Sequence, residues 1–190
     1  EEIIFDDPTD SQSSFTAPEV YIDSEYLFTL TVTDSNNVSV SDSVLISVNN
    51  LEEVDIVDLN TGWNLMSFDI VLNETQPDII FDEQISNGNL VFVTGFNDYG
   101  SSFFNPFGSP SLNTLVSLET GKGYWVKTND VYPLSQNGFP IVPDYSVELI
   151  EGWSILAYWF QQNMLPEEAF TELIADSNLV YVTGFGEDGA

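Results

Sequence analysis

Both positive side chains of this chain, Lys122 and Lys127, lie in one short stretch, Gly121-Lys122-Gly123-Tyr124-Trp125-Val126-Lys127. Everything else that ionises near neutrality is acidic, with 31 Asp and Glu and no Arg, His or Cys. That inventory narrows the chemistry. Without His or Cys, most nucleophile–base pairs and most zinc, iron or copper sites are gone. Two carboxylates alone can hydrolyse a glycoside, but no motif marks such a pair, so the chain is read as non-enzymatic. What remains is calcium held by oxygen ligands and ligand contact through aromatic rings.

Calcium candidates are the clustered Asp6, Asp7 and Asp10, then Asn97 with Asp98, and Glu187 with Asp188. No D-x-D-x-D-G loop is present, and solvated charge is the default reading of such clusters. No cofactor is required, and calcium is the one considered. For binding, the best stretch is residues 97–113, rich in Gly, Ser and Pro, where Tyr99, Phe103, Phe104 and Phe107 could present a patch or pack down to close a small module. In a strand, Trp125 and Lys127 share a face opposite Lys122, Tyr124 and Val126. The lysines then form no joint anion site. The framework reading of this stretch is preferred to a pocket in which Lys127 stacks beside Trp125. Trp63 and Trp153, each following a Gly, read as core anchors.

The elements that position these residues come in two copies. Asn89-Leu90-Val91-Phe92-Val93-Thr94-Gly95-Phe96 recurs as Asn178-Leu179-Val180-Tyr181-Val182-Thr183-Gly184-Phe185. Gly62-Trp63-Asn64-Leu65-Met66-Ser67-Phe68 recurs as Gly152-Trp153-Ser154-Ile155-Leu156-Ala157-Tyr158, in the same order and at nearly the same spacing. Each copy predicts a strand, a short helix opened by Pro77 or Pro166, and a second strand. The second copy is expected to break off before its counterpart of the Gly-Lys-Gly-Tyr-Trp stretch. Residues 26–34 and 43–48 alternate strictly around a turn at Ser35-Asn36-Asn37, which predicts an antiparallel hairpin with one face buried. The fold class is mainly β with short helices, a β-sandwich fragment followed by two small α+β repeats. The expected divisions are 1–50, a charged linker at 51–58, a first repeat at 59–145 and a second at 146–190.

Residues 12–49, with Phe15-Thr16-Ala17-Pro18 followed by Tyr26-Leu27-Phe28-Thr29-Leu30-Thr31-Val32-Thr33-Asp34, resemble the C-terminal half of a PKD-type immunoglobulin-like domain. Residues 59–190 are similar to a repeat of large secreted or surface proteins of bacteria, with the order G-W-N-L-x-S-F, L-V-x-V-T-G, G-x-G-Y-W-V-K. The resemblance implies an extracellular or cell-surface location and a structural or adhesive module array. The alternative is a carbohydrate-binding accessory of a secreted hydrolase. A net charge of −29 repels phosphate backbones, so nucleic acid is not an expected partner, whereas a polysaccharide or a surface protein is. No apolar run approaches the roughly 20 residues of a membrane span.

Overall fold

The computed structural model describes residues 3–97, 99–160 and 163–184. Phe185, Asp98, Glu187 and Asp188 lie outside the described residues. The chain divides into two compact units, Glu1–Glu53 and Val54–Ala190. The fold is mainly β, with short helices.

In the first unit, β1 (Ser24–Thr33) and β2 (Ser39–Val48) form the expected antiparallel hairpin. Its turn is made by Asp34, whose carboxylate accepts the Asn36 and Val38 N–H groups at 2.8 and 2.9 Å. Asn37 supplies the left-handed residue at φ 62°. One face carries the hydroxyl pairs Thr29–Ser43, Thr31–Ser41 and Thr33–Ser39. The opposite face is covered only at one end, where Phe28 meets Phe5 and Phe15. Beyond it Leu30, Val32, Val40 and Val44 are all more than half exposed. The expectation of a buried face therefore fails over most of the hairpin, because two strands alone have no second sheet to cover them.

The second unit begins with a further correction. Residues read as part of a linker form β3 (Glu53–Leu59), which joins a three-stranded sheet ordered β3-β9-β5, with β5 at Ile70–Leu72 and β9 at Tyr132–Pro140. Its inward side chains are Asp55, Val57 and Leu59. The acidic residues obscured a period-2 pattern. The other sheet is ordered β4-β8-β6-β7, from Gly62–Ser67, Gly123–Thr128, Leu90–Asn97 and Gly100–Phe104. Both sheets contribute to one core, which includes Leu59, Ile70 and Leu134 from the first and Met66, Val93 and Val126 from the second.

Helices α1 (Pro77–Ile80) and α2 (Asp82–Ser86) replace the single short helix expected to open at Pro77. The break is Phe81, which leaves helical geometry at φ −101° and ψ 20° and is completely buried. The second copy repeats this device in α3 (Pro166–Ala169) and α4 (Thr171–Ala175), with Phe170 at the break. Its two strand-like segments do not form ladders. Residues 153–160 make one isolated bridge, Lys122↔Leu156, and residues 178–184 make none. In the first copy both flanking strands pair with β8. Within this sequence the second copy has no counterpart of β8.

Polar side chains fix the ends of the first copy. Asn64 accepts the Asn60 N–H at 2.7 Å and donates back to the Asn60 carbonyl at 2.8 Å, closing the turn before β4. Thr128 at the end of β8 donates to that same carbonyl. The buried Asn89 donates to the Asp130 carbonyl and accepts its N–H, tying β6 to the β8–β9 turn. Gly95 on β6 leaves room for the Tyr124 ring, since a Cβ there would sit 2.8 Å from Tyr124 Cδ1. A Cβ on the matching Gly184 would meet nothing within 4 Å among the described residues.

Two outcomes follow for stability. Gly95→Ala should lower the urea unfolding free energy of the second unit by about 1–3 kcal/mol through overpacking, whereas Gly184→Ala should change it by less than about 0.5 kcal/mol. Equal effects would show that Gly95 does not accommodate the ring. The carboxyl of Asp55 is held above its ordinary value, first by burial and then by the charge of Asp69. A raised folded-state value means that this group favours folding below about pH 4 and that the contribution is lost as pH rises through the raised value. Asp55→Asn should therefore raise the Tm at pH 7, and the gain should vanish in scans below pH 4.

Candidate aromatic sheet face

Alternation along β8 decides which side chains gather. Tyr124, Val126 and Thr128 point inward and are buried, while Trp125 and Lys127 lie half-buried on the outer face. Strand pairing brings neighbours to them. Lys127 stands between Trp63 of β4 and Phe92 of β6. Trp125 stands between Leu65 and Thr94, and Phe103 of β7 is next in that row. The result is a contiguous aromatic surface on the outside of the four-stranded sheet.

Its rings are ordered against one another. Trp63 meets Phe92 edge-to-face at 6.0 Å between centroids and Trp125 edge-to-face at 6.4 Å. Phe92 stacks on Phe103 at 5.6 Å. The Lys127 ammonium lies 5.5 Å over the Trp63 ring, so the lysine stacks on the neighbouring strand's tryptophan rather than beside Trp125. Such a contact holds the long side chain flat while leaving its charge at the surface. Trp63 is 52% exposed and Leu65 is 38% exposed. Lys122 takes a separate role in an ion pair with Glu119 at 2.7 Å. The two lysines form no joint anion site.

The ring candidates from residues 97–113 separate. Much of that stretch is not a loop, since β7 occupies its middle. Phe104 faces the core and is buried, which removes it as a ligand contact, and Phe103 belongs to the outer aromatic face. Tyr99 and Phe107 are exposed, at 98% and 65%. Tyr99 borders an open groove of about 560 Å³ whose other walls include Glu119, Thr120, Tyr145 and Glu148. Trp63 and Trp153 are not the expected core anchors. On β4 the apolar Trp63 and Leu65 alternate with Asn64 and Met66, so alternation favours burying the face that the structure turns outward; Asn64 shares the inward face because it closes the turn at Asn60. Trp153, 55% exposed, repeats the first-copy contact by meeting Tyr181 edge-to-face at 5.2 Å.

The three N-terminal aspartates are engaged locally. Asp6 accepts the Ser14 N–H at 2.7 Å and its hydroxyl at 2.8 Å, and the Asp7 N–H at 2.8 Å. These bonds hold its carboxyl down at about 2. Asp7 accepts the hydroxyl and N–H of Thr9, which lower its value, and Asp10 accepts the Gln12 N–H. Asp7 and Asp10 bond within their own turns and Asp6 bonds across the loop to Ser14, and no three acidic side chains among the described residues gather as metal ligands. Inside the second unit, burial pushes the Tyr124 hydroxyl up to about 12, so it stays protonated while accepting the Glu119 N–H at 2.7 Å. No described helix is long and apolar enough to cross a membrane. Comparison with protein-family models, with curated proteins and with solved structures finds no match for this chain.

Proposed function

We propose that this chain is a non-catalytic, extracellular, adhesive module array, and that its contact surface is the aromatic face formed by Trp63, Phe92, Phe103 and Trp125. One observation carries the reading. Two tryptophans and two phenylalanines stand side by side on the outer face of the four-stranded sheet, where Trp63 remains half exposed. Soluble domains rarely leave clustered rings at the surface unless something covers them. Rings on strands are also better placed than rings on loops, because the sheet fixes their spacing. The occupant that fits is a polysaccharide lying flat across the rings. A net charge of −29 favours an uncharged one over a polyanion.

The assignment of residues 12–49 to the closing half of a PKD-type sandwich belongs to the same reading. It is supported by the hairpin's exposed apolar face, where Leu30, Val32, Val40 and Val44 form the side that a second sheet would cover. In that arrangement the first unit is a spacer and the second is the contact module.

A screen of the chain against immobilised neutral polysaccharides, read by retention and by tryptophan quenching, should find at least one binder. Trp63→Ala and Trp125→Ala should each weaken that binding by about 2 kcal/mol, the scale of an interface anchor. Tyr99→Ala should leave it unchanged. Retention undisturbed by either tryptophan variant would remove the sheet face as the site.

A further inference from the structure

The first turn into β8 carries a contact between the two copies. Registered pairing of β6 with β8 ends at Thr94↔Trp125, and ahead of it the backbone of residues 121–123 has another partner. Gly123 donates its N–H to the Ile155 carbonyl at 2.9 Å, and Ala157 donates its N–H to the Gly121 carbonyl at 2.9 Å. These two bonds flank the antiparallel bridge Lys122↔Leu156. Ile155 and Leu156 also share a small cleft with Phe96 of β6. The donor segment, Ile155-Leu156-Ala157, is the second copy's counterpart of Leu65-Met66-Ser67 in β4.

Gly123 is required by this contact, while Gly121 is confined by Tyr145, Val147 and Trp159, outside the paired segment. A Cβ on Gly123 would lie 2.5 Å from Ile155 Cγ2. A Cβ on Gly121 would collide with Val147 Cγ2 and stand 3.4 Å from Trp159, and Gly121 has φ +78° besides. Ala157 is the one buried hydrophobic residue among those described in the second copy, and it is buried here. The first copy's own core closes without any of these residues.

We infer that Gly121-Lys122-Gly123 is a strand acceptor, through which one repeat takes up the first strand of the repeat that follows. The partner is a segment of the same repeat family, held by main-chain bonds and by an aliphatic side chain seated against glycine. The role is independent of what the aromatic face binds.

Limited trypsin digestion of the full chain tests it directly. With no Arg, trypsin has only the bonds after Lys122 and Lys127 to cut. Docking of 155–157 should protect the first, and cleavage there should track the population in which the segment has come away. Ile155→Asp and, separately, Ala157→Pro should raise the initial rate at Lys122–Gly123 by about tenfold, the loss expected for one partly buried aliphatic contact. The rate at Lys127–Thr128, inside the first copy's sheet, should not change. Two outcomes would overturn the inference. One is an unchanged rate at Lys122 in both variants. The other is an equal rise at both lysines with loss of near-ultraviolet circular dichroism, which would make the segment part of the first copy's own fold.

Discussion

Alternation along β8 is the constraint from which the second unit follows. Tyr124 and Val126 must face inward because both are almost fully buried, and Tyr124 fits only because Gly95 has no side chain. With those two fixed, Trp125 and Lys127 are forced outward, and a one-residue slip would exchange the faces. β4 and β6 then pair on either flank of β8 and carry Trp63 and Phe92 to the same surface. The aromatic face is thus a consequence of how the core closes. Each of its rings leans on another across a strand pair.

The two lysines sit at positions with a defined geometric partner. Lys122 reaches back to Glu119 within the turn that leads into β8, and Lys127 lies along the Trp63 ring. Each covers apolar surface with its stem beside strands that must stay paired. The acidic excess is distributed differently. Several aspartates, among them Asp6, Asp7 and Asp34, close turns by accepting main-chain N–H groups, so part of the negative charge is structural.

The hairpin, the duplication, the proline-opened helices and the faces of β8 were all legible in the sequence. Each depends on local alternation or on a residue with restricted backbone geometry. β3 was hidden because Glu53, Asp55 and Asp58 suggested a solvated linker, although Asp55 alternates inward with Val57 and Leu59. The outward direction of Trp63 was hidden because the polar Asn64 shares the inward face of β4, where it bonds Asn60, so period 2 favoured the opposite direction. Phe104 was left open between a surface ring and a core ring because the Gly, Ser and Pro around it masked the short β7 strand. The role of Gly121 and Gly123 was out of reach for a different reason. Their partners, Val147 and Ile155, are far along the chain, and no local pattern names them.

The two copies also separate propensity from partnership. Asn89-Leu90-Val91-Phe92-Val93-Thr94-Gly95 and Asn178-Leu179-Val180-Tyr181-Val182-Thr183-Gly184 differ at one position, Phe92 against Tyr181, both strong strand formers. The first contains most of β6, and the second forms no ladder. Local preference is the same, so the difference lies in what each segment meets. β6 has β8 on one side and β7 on the other, and Tyr124 fills the space above Gly95, whereas a Cβ on Gly184 would meet nothing within 4 Å among the described residues. Side-chain pairing survives even so, because Trp153 and Tyr181 keep the edge-to-face contact that Trp63 makes with Phe92. In the second copy, then, the helices and the aromatic pair are present while its two strand-like segments form no ladder.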